Sequence, residues 1–481
     1  MSFTRGRLLA SRPAFLLSIL LLTVPPAFHA AAQSTPAAPE PPAQSRDAQP
    51  ITQPATPSNQ PAYSLPPAKL AKAIALSRIR NILDIVGSLW SLAVLWLLLA
   101  TRAAAKLEGW THQLSSRCWL QGTAFFAIFL VLLTLADLPL DIYAHHVSLA
   151  YGIGIEGWGP WFGDLAKSLA LSLLVGAPVL LLFNWIVSRW PRRYWLIAWI
   201  VSLPLMLLGA FVLPLLAPLY NKYEPLARNH PALVVELEKV VARTGTHIPP
   251  GRIFLVKASA KTNGLNAYVA GLGATKRFVM WDTTVDRLPN DEIMFVFAHE
   301  SGHYVLNHIP QGLAVTAVAL FFVFWACARI AAWLARRCGP SWGIAAPELA
   351  MEPCAPSIAQ SHRAMGGSPT PISTRTGFVV LLFVVSVAGF LFEPADNAVS
   401  RHFEHQADVY GQEAIHGLVP DPQKTAVAEF HDLGEAWLDD PNPSPFIEFW
   451  LYNHPSTQSR ANFAAHYNPW ANGGHGQFFD K

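Results

Sequence analysis

The chain is short of charge. Only 14% of its 481 residues are Asp, Glu, Lys or Arg, against about 25% in a soluble domain, and this argues against a wholly water-exposed globule. It also lacks an imbalance of sign, because a net charge of +3 is too small to mark a nucleic-acid partner. Its four cysteines, Cys118, Cys327, Cys338 and Cys354, include no C-x-x-C pair. That absence counts against a thiolate zinc site and against a disulfide framework.

What the chain has instead is apolar length. Hydrophobic residues make up 52% and gather in six runs, roughly 82–100, 123–142, 165–187, 194–217, 313–334 and 377–392. Most reach the ~18–20 residues a helix needs to cross the hydrocarbon layer; the last is shorter and could be a buried or re-entrant helix. Residues 1–32 have the make-up of a secretory signal, with Arg5, Arg7 and Arg12, an apolar core over 14–24 and the small residues of AFHAAAQ for cleavage. An uncleaved first membrane helix is the alternative. Residues 33–78 follow as a proline-rich linker. Twelve of the 40 prolines fall between Pro25 and Pro67, and with so little to bury the segment is expected to be extended and disordered. The predicted fold is mainly α, a polytopic membrane helix bundle carrying a water-exposed domain with a small sheet. Four spans occupy 79–217, a first water-exposed part 218–310, two spans 311–395 around a flexible loop at 336–376, and a second water-exposed part 396–481.

Loop charge gives the spans a direction. Segments 101–118, 188–193 and 336–375 hold ten basic residues: Arg102, Lys106, Arg117, Arg189, Arg192, Arg193, Arg336, Arg337, Arg363 and Arg375. Segment 143–164 holds none. The positive-inside rule places the basic segments in the cytoplasm, so with six spans residues 218–310 and 396–481 lie on the opposite face, periplasmic if the membrane is a bacterial inner membrane.

Within 218–310 charges return and apolar runs shorten. PALVVELEKVVART (231–244) has helical periodicity with a polar face, and GRIFLV (251–256) reads as a strand. AYVAG and RFVMWD are β-rich runs separated by LGATK, the pattern of a hairpin. Asn290 can cap a helix that begins DEIMF, with acids in its first turn. That helix carries HESGH. Residues four apart on a helix lie about 40° apart around the axis and about 6 Å along it, so His299 and His303 share a face and can bind one metal ion. Glu300 lies about 100° round, too far to be an easy ligand, and is well placed to hold and deprotonate a water polarised by that ion.

A catalytic zinc site takes a third protein ligand and keeps a fourth position open. HExxHxxGxxH would supply a histidine, but Leu306 and Ile309 stand at those positions, and His308 at five residues past His303 rotates off the face. The better candidate is downstream, in EPADNAVSRHFEHQADVYGQEA, expected as a helix from about residue 396. There Glu404 can be the ligand, with His402 and His405 as competitors that spacing alone does not eliminate. Asp408, four residues after Glu404 on the same face, can fix a ligating imidazole through its other ring N–H. The strand from Asn266 to Ala270, with Asn266, Ala267 and Tyr268 as expected substrate contacts, can pair with an extended peptide if it lies at a sheet edge beside the HESGH helix.

Several motifs together resemble the type I CAAX prenyl endopeptidases and the related HtpX-like membrane gluzincins, over roughly residues 79–470. They are NKYEPL (221–226), LNAYVAGLGATKRFVMWDTTVDRL from Leu265, HESGH, SRHFEHQAD (400–408) and NHPSTQSR (453–460). The resemblance implies a membrane-embedded endopeptidase using one Zn2+ ion held by His299, His303 and Glu404, with Glu300 as the base. It also implies His454 as a hydrogen-bond donor to the developing oxyanion, Arg460 as support near Asp408, and a proton-donor role for Asp408. The implied substrate is a peptide or protein, with the surrounding helices and lipids suiting a lipidated or membrane-associated one. Eukaryotic members of that family keep the active site on the cytoplasmic side, against the direction of the loop charges here, so an envelope quality-control protease of the same chemistry stands as the alternative. A transporter with an accidental HESGH, or a silent zinc-binding scaffold, would need no cleavage at all.

Overall fold

The computed structural model describes residues 62–246, 248–271, 275–344 and 375–479. The signal-like segment and nearly all of the loop after residue 344 lie outside the described residues, as does the linker up to residue 61. Helix α1 (Pro67–Ala100) begins with proline at its first turn, where the missing N–H costs no hydrogen bond and the fixed φ suits the helix. The last twelve residues of the expected linker are therefore helical, not disordered. Just before them Tyr63 is wholly buried and donates its hydroxyl to the carbonyl oxygen of Asp439 at 3.1 Å. This fastens the start of the bundle to the second catalytic part.

A short helix α2 (Ala103–Leu114) leads into α3 (Cys118–Ala150), α4 (Trp158–Arg189) and α5 (Tyr194–Leu216), the last extended to Leu219 by a turn of 3-10 helix. After the first catalytic part come α8 (His308–Trp342) and α9 (Arg375–Ala414). The six long helices α1, α3, α4, α5, α8 and α9 are each long and apolar enough to cross a membrane. Their packed core includes Phe125, Phe129, Leu180, Ala331, Val379 and Val380, while Leu135, Leu174, Leu215, Val318 and Phe322 stay exposed, as a lipid-facing surface requires. Internal prolines at 139, 178, 204, 214, 340 and 394 are tolerated in such a bundle because neighbouring groups satisfy the freed carbonyls. The helix α8 runs on through Trp342 and α9 starts at Arg375, so both ends of the loop expected over 336–376 are helical.

Consecutive crossings sort the connections to two ends. At one end the Glu108 carboxylate accepts the backbone N–H groups of Arg375 and Thr376, each at 3.0 Å. At the other, Ile155 donates its N–H to the Lys261 carbonyl at 3.0 Å and Lys261 Nζ reaches Asp164 at 2.7 Å, tying the 151–157 connection to the catalytic part.

The catalytic part is built on four strands, β1 (Tyr223–Pro225), β2 (Ile253–Val256), β3 (Ala267–Ala270) and β4 (Arg277–Trp281), in the order β1-β2-β4-β3. The expected hairpin is present as β3 antiparallel to β4, with Tyr268 opposite Val279, and β2 runs parallel to β4. Helix α6 (Pro231–Thr244) buries Leu233, Val234, Leu237 and Val240 on one stripe. Helix α7 (Asn290–Val305) is buried continuously from Glu292 to Gly302. Asn290 is its first helical residue and makes no side-chain cap; Pro289 holds the cap position. Helices α10 (Pro422–Trp437), α11 (Pro445–Leu451) and α12 (Thr457–His466) complete the second catalytic part, and Phe295 of α7 packs edge-on against Phe430 of α10.

Candidate metallopeptidase site

The site forms where α7 crosses α9. Small residues let the two backbones approach: a Cβ on Gly411 would lie 3.0 Å from the His299 backbone nitrogen, and one on Gly302 would lie 3.1 Å from Tyr410. This crossing brings residues 299 and 404 together across more than a hundred residues of chain. His299 Nε2 and His303 Nε2 are 3.2 Å apart, His303 Nε2 is 3.4 Å from Glu404 Oε1, and His299 Nε2 is 3.5 Å from Glu404 Oε2. Among the described residues these three are the group whose donor atoms can hold a metal ion together. Ligand bonds of 2.0–2.1 Å in a tetrahedral site imply edges of about 3.4 Å, so the spacings fit zinc-like coordination. The electrostatics ask for a cation as well. Burial alone would depress the His299 imidazole, yet the carboxylates of Asp408 and Glu404 beside it lift it to about 9.

Asp408 Oδ1 lies 3.0 Å from His299 Nδ1, a close electrostatic contact. Arg460 grips the same carboxylate with Nε at 2.9 Å and Nη2 at 2.5 Å. That fork is rigid because Arg460 sits in the first turn of α12, whose start is capped by Ser456 Oγ accepting from the Ser459 N–H. His454 Nε2 is 3.2 Å from Glu404 Oε1, and its Nδ1 is 2.8 Å from Asn453 Oδ1. Burial pushes His454 down to about 3, so its ring is neutral at ordinary pH. Its position is set from α9: Asn397 donates to the Trp450 carbonyl at 2.6 Å, and Arg401 donates to the carbonyls of Glu448 and Tyr452.

Glu300 is nearly buried and accepts the Val269 N–H at Oε2, 3.3 Å away. Val269 belongs to β3, the edge strand. Backbone groups in an antiparallel strand alternate sides, so Ala267 and Val269 face the free edge while Tyr268 and Ala270 face β4. Of the three strand residues expected to meet substrate, Ala267 therefore presents backbone. Tyr268 instead spends its backbone on the sheet and its hydroxyl on Tyr223, 3.0 Å away. Asn266 has its backbone tied to Thr284 and Trp281, and its buried Oδ1 meets no hydrogen-bond donor among the described residues. The competing histidines are elsewhere: His402 and His405 are exposed, and the His405 ring lies against Phe463.

Gln406 was not read in the sequence, and His308 was read only as a ligand that rotates off the face. Val269 lies within the expected substrate strand but beyond its three named contacts, and Asn453 was read only as part of a motif. His308 is swung back over His303 by Asn307, whose φ of +58° ends α7, and Gln406 of α9 meets it. An asparagine ahead of a histidine in the last turn was the available signal, since asparagine tolerates the left-handed conformation.

Two histidines from one helix, a carboxylate from a second and an unligated glutamate beside an edge strand define a metallopeptidase of the gluzincin type, here joined to membrane helices. Comparison with known proteins agrees. Residues 227–468 match the model of peptidase family M48, and residues 51–222 match the CAAX prenyl protease N-terminal segment of five membrane helices. The chain belongs to peptidase family M48, and it is a multi-pass membrane metalloendopeptidase. It is 31% identical over 410 residues to an uncharacterized metalloprotease, YhfN, of Bacillus subtilis, covering 84% of this chain and 87% of that one. It is 32% identical over 207 residues to CAAX prenyl protease 1 of Saccharomyces cerevisiae, covering 42% and 45%. The crystal structure of S. mikatae Ste24p shares the fold with a TM-score of 0.66 over 83% of this chain and 90% of that one, at 24% identity. A transporter or silent scaffold is not favoured by any of these matches.

Proposed function

We propose that the chain cleaves peptide bonds with zinc held by His299, His303 and Glu404, and that Glu300 is the general base. The observation carrying this is the 3.2–3.5 Å spacing of the three donor sets with Glu300 next to them and hydrogen-bonded to the edge strand. Zinc bound there supplies Lewis-acid activation of water and of the scissile carbonyl. Glu300 takes the proton of the attacking water and delivers it to the leaving amine. His454 donates to the carbonyl oxygen as negative charge develops on it. A neutral ring does this when Asn453 turns its amide N–H2 toward Nδ1, which leaves the proton on Nε2. Asp408, clamped by Arg460, orients His299. The peptide enters extended, pairing with the free-edge backbone of Ala267 and the Val269 carbonyl, while Asn266 offers its side-chain amide and Tyr268 shapes the wall.

The proposed substrate is a membrane-associated polypeptide, reaching the site at the ends of the helices. The name of the yeast relative makes a prenylated protein one such substrate. The proposed location is a bacterial inner membrane with the catalytic face away from the basic loops, hence periplasmic. The decisive experiment is Glu300→Gln in the purified, zinc-loaded protein. It is expected to bind zinc like the parental chain and to lose cleavage of a reporter peptide by at least ~100-fold, the scale of general-base catalysis. Cleavage at the parental rate would sink the mechanism.

A further inference from the structure

The outer nitrogens of the two imidazole ligands are both served by α9, one directly and one through an intermediary. Asp408 faces His299. For His303 the contact is His308, whose Nδ1 lies 3.0 Å from His303 Nδ1 and whose Nε2 lies 3.0 Å from Gln406 Oε1. His308 is 4% exposed and its ring stacks on Phe403 of α9 with centroids 4.5 Å apart and planes 10° apart, so it cannot swing away without opening the contact between α8 and α9.

Proton bookkeeping along this row has a single solution compatible with metal binding. A ligating His303 must leave its Nε2 lone pair free, so its proton is on Nδ1 and is donated outward. His308 Nδ1 must then accept, which puts the His308 proton on Nε2, and Gln406 Oε1 accepts that proton in turn. The reverse orientation would send a proton from Gln406 through His308 onto the inner face of His303. There it would meet His299 Nε2 at 3.2 Å and block the lone pair.

We propose that His308 and Gln406 are positioning residues that hold His303 in the Nδ1–H tautomer and so keep its Nε2 free for the metal. This deepens the reading of His299, His303 and Glu404 as the metal site and rests on it. The test is zinc affinity by chelator competition on the full chain in detergent, with metal-free unfolding temperatures as a fold check. His308→Phe keeps the stack on Phe403 and removes the acceptor; zinc should dissociate 10–100-fold more readily, the usual cost of losing such an outer contact. His308→Asn places an amide oxygen where Nδ1 stood and should recover most of that loss. Gln406→Leu, which leaves His308 in place without its acceptor, should weaken zinc several-fold, and Gln406→Glu should not. Parental affinity in His308→Phe, or equal losses in His308→Phe and His308→Asn, overturns the relay. His303→Ala separates the two readings: if it too binds zinc at parental strength, the metal site itself is misassigned.

Discussion

At the scale of single residues, the site is a graded set of charges in which each buried group is answered by another. Asp408 answers His299 and is itself answered by Arg460. Glu429 breaks that rule. It lies on α10 with no exposed surface, and neither carboxyl oxygen finds a hydrogen-bond donor among the described residues. Burial pushes it up to about 8 from 4.5, outweighing the pull of Arg460 and His299. The folded chain therefore keeps this proton to about pH 8, whereas the unfolded chain releases it above 4.5. Between those values the unfolded state binds fewer protons, so Glu429 makes stability fall as pH rises through that window. Glu429→Gln carries no such proton. Its unfolding temperature should rise relative to the parental chain between pH 5 and pH 8, with a free-energy gain on the order of 1 kcal/mol per pH unit. A difference that does not change with pH would mean that Glu429 is ionised in the folded state. None of this was legible in the sequence, where Glu429 is one acid on an amphipathic helix. His299, Glu300 and His303 were legible because one helix fixes all three. Glu404 needed the family resemblance, since nothing local ranks it above His402 and His405.

Among elements, the decisive one is α9. The apolar run at 377–392 and the motif-bearing stretch from 396 are one continuous helix of 40 residues, with Pro394 inside it. A single rod thus carries lipid-facing residues at one end and Glu404, Gln406, Asp408 and the crossing glycine Gly411 at the other. Because Glu404 and Asp408 sit on the same helix as Gly411, the crossing with α7 sets the ligand geometry. Gly411→Ala would press a methyl group onto the His299 backbone, which cannot yield as a side chain can. Overpacking of this kind costs typically 1–3 kcal/mol, and the shift of His299 should weaken zinc binding as well. Gly389 on the same helix has nothing within 4 Å of its would-be Cβ, so Gly389→Ala is the matched control and should change neither. Equal behaviour of the two variants, in melting and in zinc affinity, would show that the crossing does not set the site. The hairpin could be read from its two β-rich runs and the LGATK between them. The parallel pairing of β2 with β4 could not, because strand order depends on contacts far apart in the chain. The reach of α9 was hidden by proline and by the change from apolar to charged composition at Glu393.

For the whole molecule the question is which face of the membrane holds the chemistry. Six consecutive crossings put the connections at 101–117 and 190–193, with the end of α8 at Trp342 and the start of α9 at Arg375, at one end, and the two catalytic parts at the other. The basic residues crowd the first end, and charge of that sign is retained on the cytoplasmic side. The structure adds a consistency that charge counting lacked: the 151–157 connection is bonded to the catalytic part through Ile155 and Lys261, as both must be if they share a face. A miscount of one span would have separated them. The direction is tested by thiol labelling with a membrane-impermeant reagent against the parental chain as background. Glu238→Cys on α6 and Ser116→Cys before α3 both present exposed side chains, at opposite ends. In intact cells with a permeable outer envelope, Glu238→Cys should label and Ser116→Cys should label only after lysis. The reverse pattern would put the site in the cytoplasm and overturn the direction read from loop charge. Labelling of both in intact cells would mean that the span count is odd and that loop charge has no bearing on where cleavage occurs.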